Sequence, residues 1–451
     1  MKNVEERLAV GRSLRAKTPR SSHGWFERRP EVDPVALVLT QENDRLGGLI
    51  PVRRERMTED AFAFYRAGAE LMAMDLASTP RTGVLVQASG DAHVSNFGWY
   101  GSPERDIVFD TNDFDETMEA AWEWDVKRLA ASFVIAGRDN GFKTRDQRKA
   151  ARASVRGYQK AMRHFADMPV LDLWYTQMSA RDVLDKLDSE DRTHDLRKAR
   201  KAFRRASTKD SHHVLGKVGE RIDGEYRIID DPPFVVPIRS ADFPLNDVDV
   251  SSGIADVLQS YSESLGRPIR TLMARFDVID VALKVVGVGS VGTKSFIVML
   301  QGNGEGDVLF LQLKEANRSV LEDEFGDSAF EHDGKRVVEG QRLMQTTSDV
   351  MLGWTTAGSG TQYYVRQLKD MKASADLAKM AADDLSDYAK ICGAALANAH
   401  ARSGDSAVIS GYIGSNGTFA DAVSAFAVLY AGQNEMDYRA YLKHLRDSDV
   451  S

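Results

Sequence analysis

From Thr58, apolar positions recur with helical spacing. Ala61, Phe64, Tyr65, Gly68, Leu71 and Met72 of TEDAFAFYRAGAELMAMDLA share one face behind an N-cap and two acids. WEWDVKRLAASFVIAGRDNGF is predicted as a helix stopped by Gly141, with helical patterning on to about Thr208 and a further helix from about Val250 to Ser264. Another helix is expected from about Gly334 to Ser348. From about Ser374 to Ser403 runs a long helix or helical pair that buries Leu385, Tyr388, Cys392, Ala395 and Ala399. Strand texture appears in GVLVQAS and RDIVFD, each ending at a polar loop. It returns beyond Gly266 in VALKVVGVG, TKSFIVML, DVLFLQLKEA and QYYVRQL, with QGNGEGD as a hairpin loop. The Pro-containing text from Tyr226 to Ile238 marks an irregular connection, and residues 1–56 suggest an arm or a few short helices packed on the body.

Composition narrows the class. The 451 residues are 43% hydrophobic and 28% charged, ordinary for a globular protein of two or three domain-sized units. A formal net charge of -8 argues against nucleic acid as the main partner. Cys392 is the only cysteine, which excludes an internal disulfide or a cysteine zinc site and suits the cytoplasm. The charged N-terminus has no apolar core of the secretory kind, and no run of about 18 apolar residues occurs, so neither export nor membrane insertion is expected.

The chemistry is concentrated in two stretches. Asp91 and Asn96 stand in GDAHVSN at the end of one predicted strand, and Asp113 follows in NDFDET after the next. An Asp and an Asn five residues apart in a loop can address one nucleotide, and the returning strand brings a further carboxylate beside them. Each motif also has a structural reading, the first as a polar turn capped by its own side chains, the second as an acidic helix start. The second stretch is VGVGSVGTK, where Gly287, Gly289 and Gly292 form G-x-G-x-x-G around Ser290. A dinucleotide turn would lead into a helix, whereas these glycines lead into the β-rich TKSFIVML, which favours a glycine-rich hairpin lid. Lys314 follows on the next strand, a position that can aim a lysine into a cleft or leave it on a solvated edge. Glu339, in a helix, is its candidate partner, with Glu315 and Glu331 as substitutes.

GDAHVSNFG and NDFDET together resemble the catalytic and metal loops of aminoglycoside phosphotransferases and other small-molecule kinases, with Ser89-Gly90 where those enzymes usually have His-Gly. The chain is also similar, from HGWF through WEWDVKRLAAS and VVEGQRLMQ to GQNEMDYRAY, to the bacterial domain-of-unknown-function family 2252. The first resemblance implies a two-lobed protein-kinase-like α+β fold. Because Asp91 precedes Gly287, and the helix ending ALANAHARSGD resembles the one that leads into a catalytic loop, a circular permutation is expected. The implied division is an N-terminal arm and helix at 1–80, a helical catalytic lobe at 81–265, a β-rich nucleotide lobe at 266–370, and C-terminal helices at 371–451 completing the catalytic lobe.

On that resemblance, ATP and Mg²⁺ are the expected cofactors. Asp91 is the catalytic carboxylate, His93 fixes its loop or assists it, and Asn96 and Asp113 hold the metal with Asp110 and Asp115 in reserve. The glycine loop covers the phosphates, Lys314 contacts them, and YYVRQLK, with Arg366, forms the adenine hinge. Trp122 and Trp124 are assigned to core packing. The acceptor, a small molecule or a protein, carries no readable motif. Arg197, Lys198, Arg200, Lys201, Arg204, Arg205 and Lys209 form a basic cluster, either a solvated face or a docking surface for phosphorylated or acidic substrates. Three further readings stay open: a nucleotidyl transferase on the same fold, a non-catalytic nucleotide-binding regulator, and a metallohydrolase using Asp91, His93, Asp110 and Asp113.

Overall fold

The computed structural model describes residues 3–189, 197, 200, 201, 203, 204, 206, 207, 211–244, 249–304, 306–368 and 375–449. Lys198, Arg205, Thr208, Lys209, Glu305, Lys369 and Ser374 lie outside the described residues. The chain is mixed α+β. Twelve strands are used below: β1 Leu85–Ala88, β2 Phe97–Gly101, β3 Ile107–Thr111, β4 Met118–Ala121, β5 Gly219–Ile222, β6 Glu225–Ile228, β7 Val235–Pro237, β8 Asp277–Lys284, β9 Ser295–Gln301, β10 Val308–Glu315, β11 Gly353–Thr356 and β12 Gln362–Gln367.

A six-stranded antiparallel sheet runs β11-β12-β10-β9-β8-β7. Strand alternation gives it two faces. Leu309, Leu311 and Leu313 of β10 join Phe296, Val298 and Leu300 of β9 on one face, closed by Val257 and Tyr261 of the Asp249–Glu263 helix. Val308 and Phe310 join Ile297 and Met299 on the other, closed by Val214, Leu215 and Val218 of the Ser211–Val218 helix. Lys314 keeps the parity of Val308 and Phe310, so the alternation of β10 carries it onto that second face. The sheet and its covering helices therefore begin well before Gly266, because the Pro-rich stretch supplies β7 as an edge strand, where a missing N–H costs no ladder bond.

The rest of the chain builds a helical body around one core. That core takes Trp122, Trp124, Leu129 and Phe133 from the Trp122–Asp139 helix and Tyr158 from the Thr144–Ala166 helix. Leu385, Cys392 and Leu396 come from the Ala382–Ser403 helix, and Phe419 and Phe426 from Thr418–Asp449. Both tryptophans are thus core residues, and Gly141, in the left-handed region at φ 71°, ends its helix as the sequence indicates. The helix expected from Thr58 differs in two ways. Its cap is Asp60, which accepts from the Ala63 amide at 2.6 Å, and it is interrupted at Gly68, whose ψ of 37° leaves the helical region. Among the described residues, no helix is long and apolar enough to cross a membrane.

Segments distant in sequence meet most closely where the Thr144–Ala166 and Ala382–Ser403 helices cross at reciprocal glycines. A Cβ on Gly393 would lie 1.9 Å from the Ser154 carbonyl oxygen, and one on Gly157 would lie 2.2 Å from that of Lys390. Backbone rather than side chain stands in the way, so the helices themselves would have to move apart. Gly393→Ala is therefore expected to destabilise the protein by about 3 kcal/mol, at the upper end for overpacking. Thermal denaturation read by circular dichroism checks this, and an unchanged midpoint would mean the helices do not pack this closely.

Candidate functional site

Two short antiparallel ribbons, β1 with β4 and β2 with β3, bring the two acidic loops together. The loop 89–96 leaves β1 and enters β2, and the loop 112–117 leaves β3 and enters β4. They are joined directly where the Asn112 amide donates to the Asn96 carbonyl at 2.8 Å. Asp125, buried at the start of the Trp122–Asp139 helix, anchors the first loop. Its carboxylate accepts from the Ser89 amide at 2.6 Å, the Gly90 amide at 3.0 Å and His400 Nε2 at 3.1 Å. Gly90 needs φ 75°, and a Cβ there would come within 2.7 Å of Glu116.

Asp91 is held by Arg128, one helical turn beyond Asp125. The guanidinium donates from Nε to Oδ1 at 2.6 Å and contacts the same oxygen from Nη2. Asn96 Nδ2 donates to the Asp91 carbonyl at 2.9 Å, which orients the amide and leaves its Oδ1 available. Burial raises the Asp91 carboxyl to about 6, although Arg128 opposes the shift; the Asp113 charge adds to it. His93 is buried, its Nε2 lies 3.6 Å from Asp91 Oδ2, and burial holds its pKa well below the ordinary value, so it packs as a neutral ring against Phe62.

Lys314 spans the gap between sheet and helical body. Its Nζ donates to Asp115 Oδ2 at 2.6 Å and lies 3.6 Å from Asp113 Oδ1, while Tyr364 Oη donates to Asp115 Oδ1 at 2.6 Å. Burial alone would push the ammonium down. The Asp113 and Asp115 charges outweigh it and keep the lysine pKa above its ordinary value, hence cationic.

The expected pairing of Lys314 with Glu339 is corrected. Glu339 binds Arg342 at 3.0 Å, one turn along its own partly exposed helix face. The residue of that helix that does reach the site is the buried Arg336. It donates to the carbonyls of Thr117 at 2.8 Å, Asp115 at 2.9 Å and Asn317 at 2.7 Å.

A cavity of about 910 Å³ opens beside the ion pair, lined by Asp113, Lys314, Gln312, Gly287, Ser290 and Arg366 among others. Arg366 Nη1 donates to the Asn112 carbonyl at 3.2 Å, which ties β12 to the metal-loop candidate. Gly287 and Gly292 take φ of 64° and 91° in the β8–β9 hairpin loop, as expected of a glycine-rich turn. That loop is not a free lid. Arg45 Nη1 donates to the Val291 carbonyl at 2.6 Å, the Leu46 amide to Gly292 at 2.9 Å, and Arg56 binds the Gly287 carbonyl. A Cβ on Gly289 would lie 3.3 Å from the Arg66 carbonyl. The N-terminal arm is thus a brace for the glycine loop.

Asp110 is not brought to the other acids. It lines a smaller cavity of about 210 Å³ with Tyr100, Met178 and Asn398. Of the expected metallohydrolase set, Asp110 therefore stands apart from Asp91, His93 and Asp113. Among the described residues, no group of three or more His, Cys, Asp or Glu side chains gathers as a metal cage.

A family model described as an uncharacterized protein conserved in bacteria (DUF2252) matches residues 45–444. The chain belongs to the DUF2252 family. No curated protein and no solved structure matches it. In this DUF2252 chain the matched stretch contains every residue named in this subsection, whereas residues 1–44 precede it. Of the residues named from the sequence, the structure gathers Asp91, Asn96, Asp113, Asp115 and Lys314 in one region, whereas Asp125, Arg128 and Arg336, which hold their loops, were not named as site residues. The one available signal was an Asp and an Arg three residues apart on one helix, where burial demands partners.

Removing the Asp125 carboxylate strands two loop amides in the interior. Asp125→Ala is expected to lower stability by about 3 kcal/mol, in line with unsatisfied buried donors. Glu339→Ala, on a partly exposed pair, should change it by less than about 0.5 kcal/mol. Urea unfolding of both variants checks the contrast, and equal losses would restore Glu339 to the site.

Proposed function

We propose that this protein is a Mg-ATP-dependent phosphotransferase with a circularly permuted kinase-like fold, acting on a small-molecule or protein acceptor. The observation that carries the reading is the Lys314 ammonium between Asp113 and Asp115, which joins a sheet lysine to the acidic loop. Support comes also from order. A glycine-rich hairpin, a lysine on the following strand and a helix packed behind it are the parts that cradle a nucleotide triphosphate. A loop with Asp91 and Asn96 beside a loop with Asp113 supplies the rest.

Asn96 Oδ1 and the Asp113 carboxylate are hard oxygen donors, few in number, which suits magnesium because that ion completes its shell with water and phosphate. When bound there, the ion would offset the charge of the phosphates. Lys314 supplies fixed positive charge to the same phosphates, and the backbone of Gly287 and Ser290 walls the cavity that would receive them. Asp91, fixed by Arg128, accepts the acceptor hydroxyl proton as that oxygen bonds to the γ-phosphorus; the bond to the β–γ bridging oxygen breaks and ADP leaves.

Incubation with γ-labelled and α-labelled ATP and a cell extract of small molecules and proteins tests the reading. Label is expected to pass from the γ position only. Transfer from the α position would favour the nucleotidyl reading, and no transfer from either would sink both. Asp91→Asn should cut transfer by about a thousandfold. Because Asp91 must be ionised and its carboxyl sits at about 6, activity is expected above that pH and lost as pH falls through it. In Arg128→Gln, which removes the cation that favours ionisation, the acid limb should move to higher pH.

A further inference from the structure

Apart from the cavity at Asp113 and Lys314, a second concavity of about 440 Å³ opens where the Val4–Leu14 helix packs on the Ser406–Ile413 helix. Arg12, Arg15, Arg20 and Arg163 line it, and Asp167 is the one carboxylate among its lining residues. Part of this is helix capping. Arg15 donates to the carbonyls of Tyr412 at 2.9 Å and Gly411 at 2.5 Å, Arg20 to that of Ile413 at 2.7 Å, and Arg163 to that of Gly414 at 3.3 Å. Cations at a helix C-terminus are favourable, and one would suffice.

Capping leaves the crowding of charge unexplained. Burial lowers the Arg15 pKa, and the neighbouring Arg20 and Arg12 charges lower it further with no carboxylate acting against them. Among the described residues, the Arg12 side chain has no hydrogen-bond or ionic partner. Asp405 and Asp421, on either side of the 410–416 wall, are engaged elsewhere, with Arg7 at 3.2 Å and with Arg152 at 2.5 Å, and Glu6 of the first helix accepts from the Asn3 amide at 3.0 Å. On a chain with a net charge of -8, a concavity that sets four guanidiniums against one carboxylate is a deliberate concentration of positive charge. Guanidiniums offer five donors each in a fork that matches phosphate oxygens, and the bonds above occupy one or two nitrogens of Arg15, Arg20 and Arg163 and none of Arg12.

We propose that this concavity is a binding site for a small ligand carrying a phosphate or pyrophosphate group, separate from the phosphotransfer site. Its volume is within the range of about 300–1,000 Å³ typical of small-molecule sites. Arg12, Arg15 and Arg20 precede the stretch matched by the family model, so the N-terminal arm supplies three of the four arginines and the matched stretch the remaining wall.

Isothermal titration with pyrophosphate, in EDTA and against chloride at matched ionic strength, tests the site without engaging magnesium. Wild type should bind, and Arg12→Ala/Arg163→Ala, at two exposed positions, should weaken binding by at least about tenfold. Asp167→Asn should tighten it, and Lys314→Met, which removes the cation of the larger cavity, should leave it unchanged. No heat beyond that of chloride in wild type would overturn the proposal, as would undiminished binding in the double variant. If the double variant fails to fold, a lack of tightening in Asp167→Asn overturns it equally. Loss of binding in Lys314→Met would place the pyrophosphate in the larger cavity and refute the second site, whereas failure of the phosphotransfer reading would leave these results untouched.

Discussion

A lysine buried between two carboxylates on another part of the chain is the constraint around which the molecule is arranged. Lys314 is 3% exposed, and an ammonium so placed is tolerable only with a paired, hydrogen-bonded partner. Asp115 supplies that partner, Tyr364 holds Asp115, and Arg336 holds the backbone on which Asp115 sits. The sheet face that carries Lys314 and the acidic loop are therefore fixed relative to each other. The cavity beside them exists because that juncture is polar and cannot close as core does.

The ion pair also accounts for a redundancy in the acidic loop. In NDFDET, Asp115 is committed to Lys314, while Asp113, farther from the ammonium, is among the residues that line the cavity. Phe114 between them is buried in the cluster with Val338, Met344 and Tyr364, so alternation sends the two acids to the same side and the ring inward. Two carboxylates flanking an apolar residue thus divide the work of holding the lysine and facing the site.

Much of this was legible in the sequence because it rests on local pattern. Strand alternation placed Lys314, glycine spacing marked the β8–β9 turn, and polar loops at strand ends marked Asp91 and Asp113. What escaped depends on contacts across long separations. Arg128 and Asp125 lie in a helix that also carries Glu123 and Lys127, and only the folded body shows which of these charges support the 89–96 loop. Glu339 satisfied the pattern of a lysine partner but pairs with Arg342 on a partly exposed face, and the bracing of the glycine loop by Arg45, Arg56 and Arg66 joins segments more than two hundred residues apart. The limits of the sheet were missed because a Pro-rich edge strand breaks the alternation that identifies central strands.

The central claim is that Asp113 and Lys314 form one nucleotide site. The most direct measurement is a thermal-shift titration with ATP, in Mg²⁺ and in EDTA, on wild type, Asp113→Ala and Lys314→Met, since a ligand that binds only the folded state raises its melting temperature. The account predicts a magnesium-dependent rise in wild type that is lost in both variants. A wild type that gains nothing from Mg-ATP, or variants that keep the full magnesium-dependent rise, would contradict it.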